Sequence, residues 1–413
     1  MRSLLILIFT PAIAMAGEVW SWQTCVSKAT QGNADLLSAD FKWRAAHDLE
    51  GQARSGYFPQ ISGSLAYQRA AQTGLTTSES YAASVSASEN LFTGFADHAR
   101  IQQAIANAES AESAVALTRA KVSYDLKSAY QGVLYAKEYE QFTANIIKRR
   151  KDNLGLVKLR YESGRENKGS VMLSQAYLGE SKYESLQAQF ALKVAKAQLD
   201  QVLGIDGGVD YDVNDPIPVV EPKAEAPDLR ALAVKTPDYT QAVANEASAR
   251  QSIVIARSAF FPSLNLTASA GQYDEHFWPD KTDKWSLGAS LSFPLFNGGR
   301  DYYATRNAAD SWTAAQNTRV SIGRGKISDL ERAYATYVQA VAKYQVDTDF
   351  RQAAIARAEI ARSRYNNGLL TFDEWDIVET DLINRERNYL QSKRDRVISE
   401  AAWEQTLGKG VIQ

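Results

Sequence analysis

The stretch SLSFPLFNGGR, residues Ser290–Arg300, joins a strand-like alternation to a proline and a pair of glycines. From Leu295 to the last residue, Gln413, the chain contains no proline. This order predicts a short strand, a sharp break in the backbone and then a very long helix. The stretch SASENLFTGF, at Ser86–Phe95, carries the same Leu-Phe-x-Gly pattern and also opens a proline-free run, which extends to Asp215.

The composition excludes several classes of function. The 413 residues include 46 basic and 48 acidic side chains, so the charge gives no indication of a nucleic-acid partner. One cysteine and three histidines exclude a disulfide framework and argue against a Cys/His metal site. The sequence contains no catalytic constellation and no phosphate-binding loop. We therefore expect no enzyme activity, no metal and no cofactor.

The N-terminal sequence MRSLLILIFTPAIAMAG is typical of a signal peptide. Arg2 supplies the positive charge, an apolar run follows, and Ala14-Met15-Ala16 matches a small-residue cleavage site. We expect residues 1–16 to be removed on export, and we expect Cys25 to be a small apolar residue of the first helix. No later segment is an apolar run of the roughly 18 residues that a spanning helix needs. The exported chain is therefore expected in the periplasm, outside the cell, or in the outer membrane as strands.

An internal repeat divides the chain into two similar halves. The segment ARSGYFPQISGSLAYQ from Ala53 matches ARSAFFPSLNLTASAGQ from Ala256, an offset of 203 residues. Further matches lie at an offset of 204 residues: Leu91 with Leu295, Leu126 with Leu330, Arg160 with Arg364, and Leu203 with Leu407. The series predicts structural repeats at residues 17–204 and 228–413. Between them, residues 205–227 are rich in Gly, Pro and Asp, which predicts a linker.

Each repeat contains two segments in which apolar and small polar residues alternate. They lie at residues 61–67, 81–90, 263–270 and 285–293, within predicted β-hairpins at about residues 59–92 and 262–294. A period of two gives each strand one apolar and one polar face. The length and alternation fit a transmembrane strand, and they equally fit a soluble sandwich with one wet face.

The segments that follow the hairpins predict unusually long helices. Residues 96–161 contain no proline and little glycine, and their apolar residues are spaced by three, four or seven positions. The members of this seam are Ile101, Ala104, Ala108, Ala111, Val115, Val122, Leu126, Ala129 and Val133. A narrow, alanine-rich seam is typical of close helix contacts in a larger assembly. Such rods favour the membrane interpretation of the strands, and Gly164 and Gly368 lie where each rod must reverse.

Strands in lipid need a closed barrel, because an open edge leaves backbone groups unpaired in hydrocarbon. Four strands in one chain are too few to close a barrel. Three copies give about twelve strands, an even number in the range of known barrels. Two copies give about eight, which also close, around a bore filled by side chains. The strand count predicts an oligomer and leaves the dimer open beside the trimer.

An ordered and duplicated set of motifs resembles one known family. The motifs are Leu295-Phe296-Asn297-Gly298-Gly299 after Pro294, the Arg-Tyr-x-x-Gly turns at Arg160 and Arg364, and the helix openings WQTCVSKATQGNADL from Trp22 and DLRALAVKTPDYTQA from Asp228. Over essentially the whole chain after the signal peptide, the sequence is similar to the outer membrane efflux proteins, the TolC-like outer membrane factors.

The resemblance implies a mainly α-helical fold with a membrane β-barrel. In the family, a homotrimer forms a 12-stranded barrel in outer-membrane lipid and a long α-helical coiled-coil barrel in the periplasm. The implied function is a passive exit duct for a tripartite efflux pump or a type I secretion system, working with a periplasmic adaptor protein and an inner-membrane pump. The alternatives are a periplasmic coiled-coil scaffold, against which the strand faces argue, and a substrate-specific porin, against which the long helices argue.

Within this arrangement the opening stretch is a strand-to-helix corner. Pro294 ends the last strand, because proline cannot donate to a ladder. Gly298 and Gly299, and Gly94 in the first repeat, let the backbone turn from sheet to helix. Four phenylalanines near the corners are expected in an aromatic belt at the rim of the bilayer or, alternatively, in a plain core under the corner. They are Phe92, Phe95, Phe293 and Phe296.

The turns RYESGRENKG and RYNNGLLTFDEWD are the predicted periplasmic tips. By the resemblance, the tips meet the adaptor through Arg160, Tyr161, Gly164, Arg364, Tyr365 and Gly368. Tyr365 resembles the family's gate tyrosine. The sequence departs from the family at two gate positions, since Ser170 replaces an aspartate that often pairs with this tyrosine and Leu370 replaces the gate arginine.

Acidic residues follow the second turn, at Asp373, Glu374 and Asp376. By the resemblance, Glu374 matches one of two acidic positions that constrict the entrance, whereas Ile377 replaces the other. Alternatively, these acids complement the helix dipole at a helix start. A basic cluster, KRRK at Lys148–Lys151, precedes the first tip and is expected on a solvated face or, alternatively, in the adaptor contact.

Overall fold

Both halves of the chain follow the same order: short helices, a two-stranded hairpin, a very long helix, a reversing turn and a returning helix. The structure is a computed structural model, and it describes residues 18–71, 77–207, 211–222, 227–277 and 282–412. The predicted signal peptide, residues 1–16, lies outside the described residues.

The first half contains two short helices, the first hairpin and two long helices. Its elements are β1 (Glu18–Trp20), α1 (Trp22–Gly32), α2 (Ala34–Arg54), β2 (Gln60–Ala70), β3 (Ser78–Phe92), α3 (Ala96–Glu162) and α4 (Lys168–Leu203). The connection and the second half comprise β4 (Tyr211–Val213), α5 (Leu229–Ala233), α6 (Pro237–Arg257), β5 (Ser263–Asp274), β6 (Thr282–Ser292), α7 (Arg300–Asn366) and α8 (Phe372–Thr406).

The longest helices, α3 and α7, each contain 67 residues, a length of about 100 Å. They remain unbroken because neither contains proline. The predicted seam of α3 is its inner stripe. Six seam residues are buried, namely Ile101, Ala108, Val115, Val122, Leu126 and Val133, and the three other seam alanines are half-buried. Within the described residues, none of the helices has both the length and the hydropathy needed to span a membrane.

The helix predicted from Trp22 is interrupted at Asn33. The Asn33 side chain caps α2, because its Oδ1 accepts hydrogen bonds from the backbone amides of Asp35 and Leu36. Its Nδ2 donates to the carbonyl oxygen of Val202 at 2.9 Å. The break therefore depends on a contact with the end of α4, which is distant in sequence.

One antiparallel sheet of four strands has the order β2-β3-β5-β6. The two hairpins share one register, since Gln60 pairs with Ser88 and Ser263 pairs with Ser292. In this register, the predicted apolar rows lie on one face of the sheet and the serines lie on the other. Hydroxyl pairs on the serine face join Ser62 to Ser86 (2.9 Å), Ser64 to Ser84 (2.8 Å) and Ser269 to Ser286 (2.8 Å). Glu89 departs from the pattern, because it lies on the apolar row opposite Leu266.

The chain forms two compact units, and they do not coincide with the repeats. The first, here the turn unit, comprises the described parts of Met1–Leu37, Thr118–Pro227 and Asp329–Gln413. The second, here the sheet unit, comprises the described parts of Ser38–Leu117 and Asp228–Ser328. Each unit takes segments from both repeats because α2, α3 and α7 continue from one unit into the other.

The described part of the predicted linker is packed onto the turn unit. β4 pairs in parallel with β1, and Tyr211 stacks on Trp20 with ring centroids 4.0 Å apart. The amide of Val220 donates to Glu400 at 2.8 Å. Residues 205–227 were predicted to be a linker between the repeats, and their described part also packs against the turn unit. Within this segment, Tyr211, Val213 and Ile217 are buried in the core.

Candidate functional site

The two reversing turns, α3 to α4 and α7 to α8, share one backbone motif. The amide of Arg165 donates to the carbonyl of Arg160 at 2.8 Å, and the amide of Leu369 donates to that of Arg364 at 2.9 Å. Gly164 and Gly368 occupy the left-handed position, with φ of 71° and 76°. The prediction that the two long helices reverse at these glycines is confirmed. A Cβ atom at either position would meet nothing within 4 Å, so conformation alone requires glycine there.

The side chains of the two turns differ although the backbones match. Tyr365 is fully buried and stacks on Trp375 with ring centroids 4.3 Å apart. Its counterpart in the first turn, Tyr161, is 45% exposed. Arg160 is half-buried, whereas its counterpart Arg364 is exposed. The structure thus brings Arg160 and Tyr365 together and leaves the other two side chains at the surface.

A carboxylate that sequence reasoning missed, Glu166, links the two turns. The Tyr365 hydroxyl donates to Glu166 Oε2 at 3.0 Å, and the Ser170 hydroxyl donates to Glu166 Oε1 at 3.0 Å. Arg160 lies over the Tyr365 ring, 4.4 Å from its centroid, and donates to the Tyr365 carbonyl oxygen. Burial, and then the hydrogen bond to Glu166, raise the pKa of Tyr365, so the phenol remains a donor at neutral pH.

The sequence offered an indirect signal for Glu166. Ser170 stands where the resemblance expects an aspartate, which implies that the tyrosine's acceptor lies elsewhere. Glu166 is in the same turn, just before Asn167, the residue that caps α4. Leu370 occupies the second position at which the sequence differs from the family. Its side chain is partly buried and packs against the cluster around Tyr365.

The three acids after the second turn occupy different environments. Glu374 forms a capping box with Thr371, whose backbone amide donates to Glu374 Oε2 at 2.9 Å. Hydrogen bonds from Thr371, the backbone amide first, hold the pKa of Glu374 below its usual value. Asp373 is also exposed. Asp376 instead accepts from Arg150 at 3.2 Å and from the Tyr177 hydroxyl at 3.0 Å.

The capping box at Glu374 therefore supports the interpretation that these acids stabilise the start of a helix. The Glu374 side chain nevertheless remains exposed to solvent. The carboxylate of Asp376 is engaged by α3 and α4 and is only 17% exposed. Of the three acids, Asp373 and Glu374 are the ones whose charge is available at the surface of the described chain.

The basic cluster Lys148–Lys151 divides between two environments. Arg149 contacts Glu379, a fully buried carboxylate, at 2.6 Å, and Arg150 contacts Asp376. The outer members, Lys148 and Lys151, are exposed. Neither interpretation of the cluster holds for the two arginines, because they fasten α3 to α8. Sequence reasoning missed Glu379, whose partner lies 230 positions away.

An open groove of about 540 Å³ lies between the two turns. Its lining includes Arg160, Arg165, Glu166, Thr371, Asp373 and Glu374. This mixture of both charges suits a polar peptide surface better than an apolar small molecule. Within the part of the chain that the structure describes, no group of three or more His, Cys, Asp or Glu side chains is arranged to hold a metal ion.

The strand-to-helix corners use positive φ at four positions. Gly94 and Phe95 have φ of 63° and 72° in the first repeat, and Gly298 and Gly299 have φ of 65° and 82° in the second. Phe95 is the one described non-glycine residue with positive φ. The sequence placed it among the phenylalanines near the corners but gave no sign of this backbone conformation. The backbone of Phe95 matches that of Gly299 at the offset of 204 residues. Pro294 lies two residues beyond the end of β6.

Comparison with known proteins agrees with this architecture. The sequence profile described as outer membrane efflux protein matches residues 25–205 and 229–409. The chain belongs to the outer membrane efflux protein family.

Two curated relatives of this chain come from Pseudomonas putida. The solvent efflux pump outer membrane protein SrpC is 25% identical over 238 residues, which cover 55% of this chain and 50% of the relative. The chain thus matches about half the length of that protein. The toluene efflux pump outer membrane protein TtgC is 23% identical over 414 residues, with 94% of this chain and 83% of the relative covered.

A solved structure supports the fold of this chain. The outer membrane protein VceC from Vibrio cholerae superposes with a TM-score of 0.83 at 18% identity, covering 95% of this chain and 97% of that chain. The predicted fold class, mainly helical with four strands of a membrane barrel per chain, is confirmed, and so is the resemblance. Family members are outer-membrane channels rather than enzymes.

Proposed function

We propose that this protein is the outer-membrane exit duct of a tripartite efflux pump, a passive channel that continues into the periplasm. The observation that carries the proposal is the family match in both halves of the chain, together with a sheet whose one face is apolar. The named relatives serve solvent and toluene efflux pumps. An organic solute or drug is accordingly the proposed cargo, and protein secretion is the second candidate that the resemblance allows.

A homotrimer is the proposed assembly. Both edges of the sheet, β2 and β6, are unpaired within the described chain and run in opposite directions. The β6 edge of one copy can therefore join the β2 edge of another as an antiparallel pair. Three copies would close about twelve strands and leave no edge in lipid. In the sheet unit, every residue of β2 is exposed in the single chain, which is expected of a surface that lipid and neighbouring copies cover.

The proposed partners at the periplasmic end are an adaptor protein and, through it, an inner-membrane pump. The groove between the turns, with Gly164 and Gly368 at the apices, is the proposed adaptor contact. Gly368→Pro is expected to leave the trimer folded and to abolish export, because it remodels only the tip. Crosslinkers placed beside Gly368 should capture the adaptor in an active pump, and their failure to do so would remove this contact.

The experiment for the whole proposal is deletion and complementation in the native host. Loss of the gene should raise sensitivity to organic solvents or drugs, and the intact gene should restore resistance. The protein should fractionate with outer membranes and remain trimeric in mild detergent. Recovery of a soluble periplasmic protein would instead favour the scaffold alternative.

A further inference from the structure

One carboxylate, that of Glu89, interrupts the apolar face of the sheet. Glu89 lies in β3 opposite Leu266 of β5, whose partner on β6 is Ala289. Ala87 precedes it in the same row, and Phe92 ends the strand three residues further on. The Glu89 side chain is half-buried, and no hydrogen bond or ion pair within the described residues engages it. The carboxylate therefore lies on an apolar surface without a counter-charge from the described chain.

The other charged side chains of this face lie at its opposite end, and they have partners. Arg69 and Glu79 form an ion pair across β2 and β3 at 3.4 Å. Asp274 accepts a hydrogen bond from the backbone amide of His276 at 3.2 Å. Asp283 accepts one from a glutamine side chain of β5 at 3.0 Å. Among the charged residues of the described strands on this face, the one without such a partner is the carboxylate near the strand-to-helix corner.

The spacing of these charges matches the thickness of a membrane. Glu79 and Glu89 lie ten residues apart in β3, which is about 34 Å along the strand. Because barrel strands tilt by about 40°, the separation along the membrane normal is roughly 25 Å, the height of the apolar band of an outer-membrane barrel. The residues between them in this row are uncharged, namely Tyr81, Ala83, Val85 and Ala87. Glu89 therefore lies at the boundary of the band, beside the lipid headgroups on the side where α3 begins.

The strand-to-helix corner does not itself require an acid at this position. At the offset of 204 residues, Glu89 corresponds to Phe293, which is 60% exposed. The second hairpin thus leads into its long helix with an aromatic side chain where the first hairpin has a carboxylate. The charge of Glu89 is accordingly available for a role other than forming the corner.

We propose that Glu89 binds the headgroup of a phospholipid that carries a primary ammonium group. The inference goes beyond the proposed function but rests on it, because it requires the apolar face to meet lipid. A primary ammonium supplies both the positive charge and the N–H donors that a carboxylate needs when it leaves water. A lipid can reach Glu89 in an assembled barrel, because β3 is an inner strand with β2 on one side and β5 on the other. Ionisable side chains at membrane depth are rare and commonly mark a functional site.

Native mass spectrometry of the full-length protein, purified in mild detergent, tests the assignment. Phosphatidylethanolamine and phosphatidylcholine are added in equal amounts, since the second lipid keeps the positive charge but its quaternary ammonium has no N–H donor. The wild-type protein should retain phosphatidylethanolamine about tenfold better, the factor that one hydrogen bond to a charged group supplies. In Glu89→Gln the preference should fall below about twofold, because the side chain keeps its size and loses its charge.

Two further variants separate lipid binding from folding. Glu89→Phe copies the residue of the second repeat, so the protein should assemble normally and show no preference between the lipids. Glu79→Gln removes a carboxylate of the same row that Arg69 already engages, so this variant should keep the wild-type preference.

Equal retention of both lipids by the wild-type protein, or a preference that survives in Glu89→Gln, would overturn the assignment and leave the proposed function intact. A preference lost in Glu79→Gln but kept in Glu89→Phe would place the lipid at the opposite end of the sheet and would also overturn it. A protein that fractionates away from membranes and retains neither lipid would overturn the proposed function and this inference together.

Discussion

At the tip, the carboxylate of Glu166 stabilises a buried tyrosine, and its removal should loosen the turns. Glu166→Ala leaves the Tyr365 hydroxyl without its acceptor, which costs about 1–3 kcal/mol for a buried donor. Tyr365→Phe should cost less, because the carboxylate that remains keeps its bond from Ser170. Limited proteolysis of the turns measures the difference, with Tyr161→Phe on the exposed counterpart as control. Equal cleavage in Glu166→Ala and wild type would show that the link contributes nothing.

The same contact predicts a pH dependence. The folded pKa of Tyr365 is raised, so its stabilisation is complete below the unfolded pKa of about 10 and is lost as pH rises towards the folded value. Protection of the turns from proteolysis by an alkali-tolerant protease should therefore be constant from neutral pH and decline above about pH 10. Tyr365→Phe should remove this part of the decline. An identical profile in the variant would assign the decline to other groups.

Glu374 can be tested for charge separately from its role as a cap. If the exposed acids narrow the entrance of a trimer, threefold repetition makes a ring that attracts cations. Glu374→Gln removes the charge and keeps a capping acceptor, since glutamine also fits the capping box. In a planar bilayer, block by divalent cations should weaken in Glu374→Gln and persist in Thr371→Ala. Block that survives Glu374→Gln but disappears in the double variant Asp373→Asn/Asp376→Asn would place the constriction on the other face.

At the tip, the roles of some residues could be predicted from the nearby sequence, and the roles of others could not. The glycines at 164 and 368 were predictable, because a helix that reverses needs a left-handed residue at that point in the sequence. Glu166 and Glu379 were not, because each acquires its role from a partner about 200 positions away. The local sequence predicts the turn, but it does not show which side chains of the returning helix lie beside it.

At the scale of elements, two glycines with the same φ should differ sharply in tolerance. Gly204 ends α4 with φ of 72°, and a Cβ atom there would lie 2.0 Å from the carbonyl oxygen of Gly32. Gly164 has φ of 71° in open space. Gly164→Ala should cost about 1–2 kcal/mol of left-handed strain. Gly204→Ala should cost that and a further roughly 1–3 kcal/mol of overpacking against backbone.

Thermal melting of the detergent-solubilised protein gives the comparison. A clear additional loss of Tm in Gly204→Ala over Gly164→Ala is expected. Equal losses would mean that α1 and α4 can move apart at little cost, contrary to the close approach of Gly32 and Gly204.

The contact between α3 and α8 should depend on the ion pair of Arg149 with Glu379. Arg149→Ala leaves a carboxylate buried without a counter-charge, which costs roughly 3–5 kcal/mol. Removing both partners in Arg149→Met/Glu379→Leu should restore most of the loss. The exposed neighbour gives the control, since Lys148→Ala should change stability by less than about 0.5 kcal/mol. A loss in the double variant as large as the single losses combined would exclude coupling between the two side chains.

The helices and strands were largely predictable, because their causes are periodic and local. Proline-free apolar seams gave α3, and period-two alternation gave the four long strands. The break at Asn33 and the packed connection at Tyr211 were not predictable, because both depend on distant contacts, with Val202 and with Trp20. Composition alone described the connection as a linker, although its alternating apolar residues complete the core.

At the scale of the whole molecule, the sheet has two faces that should respond differently to charge. Leu287 lies near the middle of β6 on the apolar face and is 68% exposed. Ser269 lies at nearly the same depth on the serine face, since Ser269 pairs with Ser286. If the apolar face meets lipid and the serine face meets water, the same substitution should be harmful on one and tolerated on the other.

Leu287→Arg should therefore impair assembly in the outer membrane, because a cation near the bilayer midplane costs roughly 2–4 kcal/mol per copy. Ser269→Arg should assemble close to the wild-type yield. Leu287 is a sharper test than Leu266, because Leu266 lies opposite Glu89, which could pair with an introduced arginine and mask the effect. The measurement is the amount of assembled trimer in purified outer membranes, compared between variants at matched expression. Equal yields from the two variants would remove the barrel interpretation of the sheet, since no bilayer would then distinguish its faces.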